Sequence, residues 1–117
     1  MGSVIPTVKT WCLPEGLDEK QFVDLHQCIV KVMANFQETG VKNEWDMLAL
    51  FPRDLMAYGL GTEIKIEISD LPPQCNKKIL DKLASEVGNF VRTMFLRSNV
   101  YCKAECYNPS AGYWFAR

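Results

Sequence analysis

The chain has 117 residues, of which 13 are Lys or Arg, 14 are Asp or Glu and 48% are hydrophobic, values typical of one globular domain with its own core. The nearly balanced charge argues against a nucleic-acid-binding surface, and no apolar run approaches the roughly 20 residues of a membrane-spanning helix. Five cysteines, with no pattern of a secreted protein and no signal peptide, indicate reduced thiols and a cytoplasmic location.

The first half of the chain reads as strand, helix, strand. Residues 4–12 are rich in Val, Ile, Thr and Trp and predict the first strand. Within it, Pro6 fits only a sheet edge or a strand start because it has no N–H. A helix is predicted from Asp18, which begins a capping-box pattern, to Gly40 as its C-cap residue. The short apolar run at 45–51 predicts the second strand.

The second half repeats this order. Residues 63–68 alternate Ile with charged side chains, which is the period of a half-buried strand. A helix is predicted over about 76–96, although Gly88 inside it costs about 1 kcal/mol relative to Ala. Residues 100–107 predict another alternating strand, and the aromatic segment 113–116 predicts a short strand or arm.

The two halves match in pattern, with an offset of about 55 residues and negligible identity. We therefore predict one domain over 1–117, with pseudo-repeats of about 4–52 and 62–107, and 1–3 as a possible cloning remnant. Two tandem β-α-β units predict an α+β fold in which a four-stranded mixed sheet has both helices on one face.

The other face of this sheet is expected to pack on another subunit. Apolar patches of that size are rarely exposed on monomers. Its predicted apolar members are Trp11, Tyr101 and Tyr107, with Ile5 and Trp45 as further contributors.

Short segments of the chain carry a family resemblance. Residues 38–40 (Glu-Thr-Gly) and 52–59 (Pro-Arg-Asp-Leu-Met-Ala-Tyr-Gly) resemble an Ala-Thr-Gly … Pro-Asp-Gln-Leu-Met-Ala-Phe-Gly pattern with the same spacing. Residues 98–101 (Ser-Asn-Val-Tyr) resemble Asp-Arg-Val-Tyr, and 112–116 resemble a Phe-Ala-like aromatic terminus. Together they resemble the tautomerase superfamily, and within it the branch of macrophage migration inhibitory factor.

The resemblance implies a homotrimer of β-α-β-β-α-β subunits, with sites between neighbours and an amino-terminal proline as the catalytic base. A free secondary amine can be a neutral base near pH 7 and can abstract a proton next to a carbonyl. Pro6 matches in strand position, but five residues precede it. Catalysis by Pro6 would therefore require processing of the chain. No cofactor is expected, and no metal site is expected because a single histidine cannot complete one with the cysteines at their spacing.

The resemblance also suggests substrate-binding residues: Lys103, Tyr101, Trp114, Lys42 and Leu71. Lys103 lies two residues after Tyr101 and would hold a carboxylate or polarise a carbonyl, or it is a solvated strand lysine. Tyr101 and Trp114 would form pocket walls or pack between subunits. The pocket lysine of the family falls at Val41, so Lys42 beside it is the weaker candidate. Leu71 lies near the position whose backbone N–H meets the substrate.

Other polar residues favour structural roles. His26 lies on the apolar helix face, which favours a buried, hydrogen-bonded imidazole. The cysteines show no Cys-x-x-Cys spacing and favour core thiols. Two functions stay open. One is keto–enol tautomerisation, or a related proton transfer, on a small carbonyl or carboxylate compound. The other is a non-catalytic trimer that binds a small anion or a protein partner.

Overall fold

The computed structural model describes residues 5–52 and 63–112, and these form an α+β fold. The strands and α-helices are β1 (Thr7–Trp11), α1 (Glu19–Ala34), β2 (Leu48–Leu50), β3 (Glu63–Leu71), α2 (Lys77–Met94) and β4 (Asn99–Cys106). Two short 3-10 helices, Gln37–Thr39 and Glu44–Asp46, lie between α1 and β2. The predicted arm at 113–116 lies outside the described residues.

The four strands form one mixed sheet in the order β2-β1-β3-β4. Each β-α-β unit contributes a parallel pair, β1 with β2 and β3 with β4, and the two units join through the antiparallel pair of β1 and β3. Lys9 pairs with Glu67, which pairs in turn with Lys103. The predicted fold class is confirmed, while the boundaries of the pseudo-repeats stay predictions.

The core lies between the sheet and the two helices. The predicted alternation in β3 is confirmed, because Ile64, Ile66 and Ile68 are each at most 1% exposed. Leu25 of α1 and Leu83 of α2 are fully buried against them. No helix within residues 5–52 and 63–112 is long and apolar enough to cross a bilayer.

Side-chain caps fix where both α-helices begin. Asp18 accepts a hydrogen bond from the Gln21 backbone N–H at 2.8 Å, and the Gln21 side chain accepts from the Asp18 backbone N–H at 2.9 Å. This confirms the predicted capping box. The Asn76 side chain accepts from the Ile79 backbone N–H at 3.0 Å and caps α2 in the same way.

The predicted end of α1 at Gly40 is wrong. The helix ends at Ala34, and Gly40, with φ 76°, caps the following 3-10 helix instead. The physical reason is the buried hydroxyl of Thr39, which donates to the carbonyls of Met33 at 3.0 Å and Phe36 at 2.8 Å. These bonds close a second, tighter turn beyond the α-helix.

Two predicted strands are shorter than expected. The first begins at Thr7 and ends at Trp11, since Cys12 has φ 64° and leaves the extended conformation. The second covers only Leu48–Leu50 because Glu44–Asp46 forms a 3-10 helix. Trp45, 83% exposed, therefore lies outside the sheet, contrary to its expected place on the uncovered face.

Two local features were not expected from the sequence. A bulge between Ile68 and Leu71, with Asp70 at φ 60°, lets β3 continue beyond the predicted strand. Gly88 lies at a close approach of α2 to β4, since an added Cβ would be 3.3 Å from the Cβ of Cys102. The glycine that weakens the helix pattern thus permits close helix–sheet packing.

Candidate functional site

Pro6 lies at one end of the sheet, immediately before β1, and is buried. Its carbonyl accepts a hydrogen bond from the Leu48 N–H at 2.9 Å. Because β1 and β3 are antiparallel, Leu71 at the end of β3 lies at the same end of the sheet. Leu71 is fully buried, and its carbonyl accepts from the Tyr107 N–H at 2.9 Å. The structure thus places Pro6 and Leu71 at one end of the sheet.

The loop before β2 reaches this same end, because β2 runs parallel to β1. Val41 in this loop is 3% exposed and belongs to the core. Lys42 is exposed, and its backbone N–H donates to the Asp46 carboxylate at 2.9 Å. The lysine position suggested by the resemblance is therefore occupied by a core valine, and Lys42 lies on the solvent side of the loop.

Lys103 and Tyr101 lie on the face of β4 that no helix covers. Lys103 is in register with Glu67 and its Nζ is 3.6 Å from the Glu105 carboxylate. Tyr101 is 57% exposed, and the Lys65 ammonium lies 5.7 Å from the centre of its ring. A cation over an aromatic face is attracted by the ring electrons. This surface therefore combines aromatic and charged groups of both signs.

Glu67 is a residue that sequence reasoning missed. It lies between Lys9 and Lys103 in the sheet register, and its carboxylate accepts a 2.7 Å hydrogen bond from the Trp11 indole N–H. The alternation in β3 placed Glu67 on the charged face, but only the strand order shows its two lysine neighbours. Glu67 orients Trp11 and supplies negative charge beside Lys103.

One chain does not bring Pro6 and Lys103 together. The register places Lys103 two strands away from Lys9, and Pro6 three residues before Lys9. Strand spacing and residue rise then separate the backbones of Pro6 and Lys103 by roughly 14 Å. Pro6 also shares the alternation of Val8, whose side chain lies in the core. Trp114 lies outside the described residues.

The cysteine thiols in the core are poor nucleophiles at neutral pH. Burial raises the pKa of Cys102 to about 12. Burial, then Cys106, then Glu38 raise the pKa of Cys75 to about 11. Within 5–52 and 63–112, no group of three His, Cys, Asp or Glu residues is placed to hold a metal ion.

His26 is half-buried, and its predicted hydrogen bond is not formed at Nε2. Its Nε2 is buried without a hydrogen-bond partner among the described residues, as is the Thr10 hydroxyl.

Comparison with known proteins identifies the fold alone. No protein-family model matches the chain, and no curated protein matches it. The crystal structure of a probable enzyme from the thermophilic fungus Aspergillus fumigatus aligns with 88% of this chain and 77% of that chain, at 12% identity and a TM-score of 0.60. A member of the cis-3-chloroacrylic acid dehalogenase family aligns over 92% and 80%, at 13% identity and a TM-score of 0.47. The first match shows a shared fold, and the second is too distant to support an inference.

Proposed function

We propose that this chain is the subunit of a tautomerase-superfamily homotrimer that binds a small carbonyl or carboxylate compound between neighbouring subunits. The observation that carries the proposal is the position of Pro6 at the start of an inner strand, at the sheet end that also holds Leu71. The observed β-α-β-β-α-β order is the one that the sequence resemblance implies. Membership of the macrophage migration inhibitory factor branch stays part of this proposal.

The separation of the candidate residues supports a site between subunits. Lys103 and Tyr101 lie on the uncovered face, about 14 Å from Pro6. In the proposed trimer, a neighbour packed at the sheet end that holds Pro6 would contribute its own β4 to the site. Exposed apolar side chains at the sheet favour such packing: Leu48 is 46% exposed, Leu50 39% and Tyr107 37%.

The proposed chemistry is proton transfer by Pro6 once its nitrogen is a free amine. A neutral secondary amine removes the proton next to the substrate carbonyl, and the resulting ammonium returns it at the other end of the enol. The buried position of Pro6 favours the neutral amine because desolvation disfavours the ammonium. Lys103 supplies positive charge for the carboxylate or for the developing enolate oxygen.

The test is an enol-to-keto assay with phenylpyruvate on the chain as written and on a chain trimmed to begin at Pro6. We expect activity only in the trimmed chain, because an internal proline is an amide without basicity. The matched control is the trimmed chain with Pro6→Ala, which replaces the secondary amine by a primary one. We expect about 10²-fold lower activity from this control, at the lower end of general-base contributions. A monomer by light scattering at micromolar concentration would refute the shared trimer.

The second candidate function is a trimer of the same fold that binds a small anion or a protein partner without catalysis. It is favoured by the peptide bond between Ile5 and Pro6, which removes the basic nitrogen. Inactivity of both preparations, with the trimer intact, would support this alternative. Equal activity in both would assign proton transfer to another residue, and Lys103→Met would then be the next variant to assay.

A further inference from the structure

Two cysteines from distant parts of the chain meet at the sheet end that holds Pro6. Cys106 is the last residue of β4, and Cys75 directly precedes the Asn76 cap of α2. The Cys106 thiol donates to the Cys75 carbonyl at 3.1 Å and lies 3.4 Å from the Pro72 carbonyl. The end of β4 is therefore held against the loop that leads into α2.

This contact places the two side chains within reach of a covalent bond. A carbonyl oxygen lies about 2.4 Å from the Cα of its own residue, so the Cys106 sulfur is within roughly 5.5 Å of the Cys75 Cα. A cysteine sulfur lies about 2.8 Å from its own Cα, so a Cys75 rotamer directed at Cys106 would bring the two sulfurs within roughly 2.7 Å of each other, close to the length of about 2.0 Å of a disulfide bond. Rotation of the Cys75 side chain is the movement that would bring its sulfur to Cys106.

We propose that Cys75 and Cys106 form a reversible intramolecular disulfide by exchange with a small-molecule disulfide of the glutathione class. This inference does not depend on the proposed function. Cys106 reacts first because it is only partly buried, whereas Cys75 is 2% exposed. The Cys106 thiolate attacks the small disulfide, forms a mixed disulfide and releases one small thiolate. The Cys75 thiolate then attacks the Cys106 sulfur and releases the second.

The exchange balances in atoms and electrons. Both protein thiols lose a proton, and these protons convert the two released thiolates into thiols. The protein is oxidised by two electrons, and the small disulfide is reduced by two. No other oxidant is needed, and a small thiol in excess reverses both steps.

The second step should depend steeply on pH. Burial, with smaller effects of Cys106 and Glu38, raises the pKa of the Cys75 thiol to about 11. Below that pH, the thiolate fraction rises about tenfold per pH unit, and ring closure should accelerate in proportion. Closure would join positions 31 residues apart. Because this restricts the unfolded chain, we expect the oxidised protein to unfold about 10 °C higher.

The first experiment treats the reduced protein with oxidised glutathione at pH 8 and follows its intact mass. We expect a product lighter than the reduced protein by two hydrogen atoms, and a digest that contains the peptide pair of Cys75 and Cys106. Cys75→Ser should stop at a stable glutathione adduct, and Cys106→Ser should give no cross-link. Cys28→Ser, on the partly buried surface of α1, is the matched control and should behave as the natural sequence does.

The second experiment isolates the glutathione adduct and measures release of glutathione at pH 7.5 and 8.5. A rate about tenfold higher at pH 8.5 supports closure by Cys75. A cross-link to any other cysteine, an adduct that persists at both pH values, or an unchanged unfolding temperature would overturn the proposal. If either variant does not fold, the digest and the pH series on the natural sequence decide the question alone.

Discussion

Replacement of Thr39 tests whether hydrogen bonds of its hydroxyl stabilise the turn after α1. Thr39 is 1% exposed, and its hydroxyl donates to the Met33 and Phe36 carbonyls while accepting from the Val41 N–H at 3.2 Å. Thr39→Val keeps the side-chain shape and removes only the hydroxyl. The substitution therefore separates hydrogen bonding from packing.

The expected cost follows from which groups lose their partners. The Phe36 carbonyl also accepts from the Thr39 N–H at 3.0 Å, and the Met33 carbonyl from the Phe36 N–H at 3.1 Å, so both stay hydrogen-bonded. The lost hydroxyl bond contributes about 1 kcal/mol, and the stranded Val41 N–H costs about 1–2 kcal/mol. We expect Thr39→Val to lower the free energy of unfolding by about 2–3 kcal/mol and Tm by roughly 10 °C.

The assay is equilibrium unfolding in urea, followed by far-UV circular dichroism and tryptophan fluorescence to check two-state behaviour. Thr39→Ser is the control, since it keeps the hydroxyl and loses one methyl group, which costs about 1 kcal/mol. A Thr39→Val protein within about 0.5 kcal/mol of the natural sequence would refute the reasoning. A serine variant as unstable as the valine variant would also count against it, because the retained hydroxyl would then preserve no stability.

Three further predictions use the same unfolding assay. Gly40→Ala should cost about 1–2 kcal/mol, because φ is 76° there; a neutral effect would show that the turn rearranges. Trp11→Phe should cost about 1 kcal/mol through loss of the 2.7 Å bond to Glu67, and a double-mutant cycle with Glu67→Ala would give a coupling energy of zero if the pair does not interact. Burial raises the pKa of the Cys102 thiol from 9.0 to about 12. The contribution of the neutral, buried thiol to the free energy of unfolding is therefore fully present below pH 9. It should be lost by about 1.4 kcal/mol per pH unit as the pH rises from 9 toward 12. Between pH 9 and 10.5, the free energy of unfolding should therefore fall more steeply with pH for the natural sequence than for Cys102→Ala. Equal slopes for the two proteins would contradict a buried thiol.

Local patterns predicted the parts of the fold that local interactions decide. The alternation of Ile64, Ile66 and Ile68 requires one buried strand face, and Asp18 with Gln21 requires a helix start, so both were readable from the sequence. The run at 45–51 was predicted as a strand because it is as apolar as one, but only Leu48–Leu50 forms a strand. The Asn43 side chain accepts from the Trp45 N–H at 2.9 Å, and this local bond favours a 3-10 helix over a longer strand.

The candidate site could be predicted only as a set of residue types. The resemblance selected Pro6, Leu71 and Lys103, but the positions of these residues depend on the pairing of β1 with β3, across residues more than 50 apart in sequence. No local spacing encodes that pairing. The placement of Glu67 between two lysines, and the meeting of Cys75 with Cys106, required the same long-range register.

The central pairing of β1 with β3 also has a consequence for synthesis of the chain on the ribosome. The first β-α-β unit leaves the ribosome with one edge of β1 unpaired, because its partner ends only at Leu71. Because synthesis proceeds at about 5–20 residues per second, this edge of β1 stays unpaired for seconds before β3 emerges. The apolar side chains of the first unit stay partly uncovered during this interval. Nascent chains stalled before residue 63 should therefore bind holdase chaperones, and chains released beyond Cys106 should not.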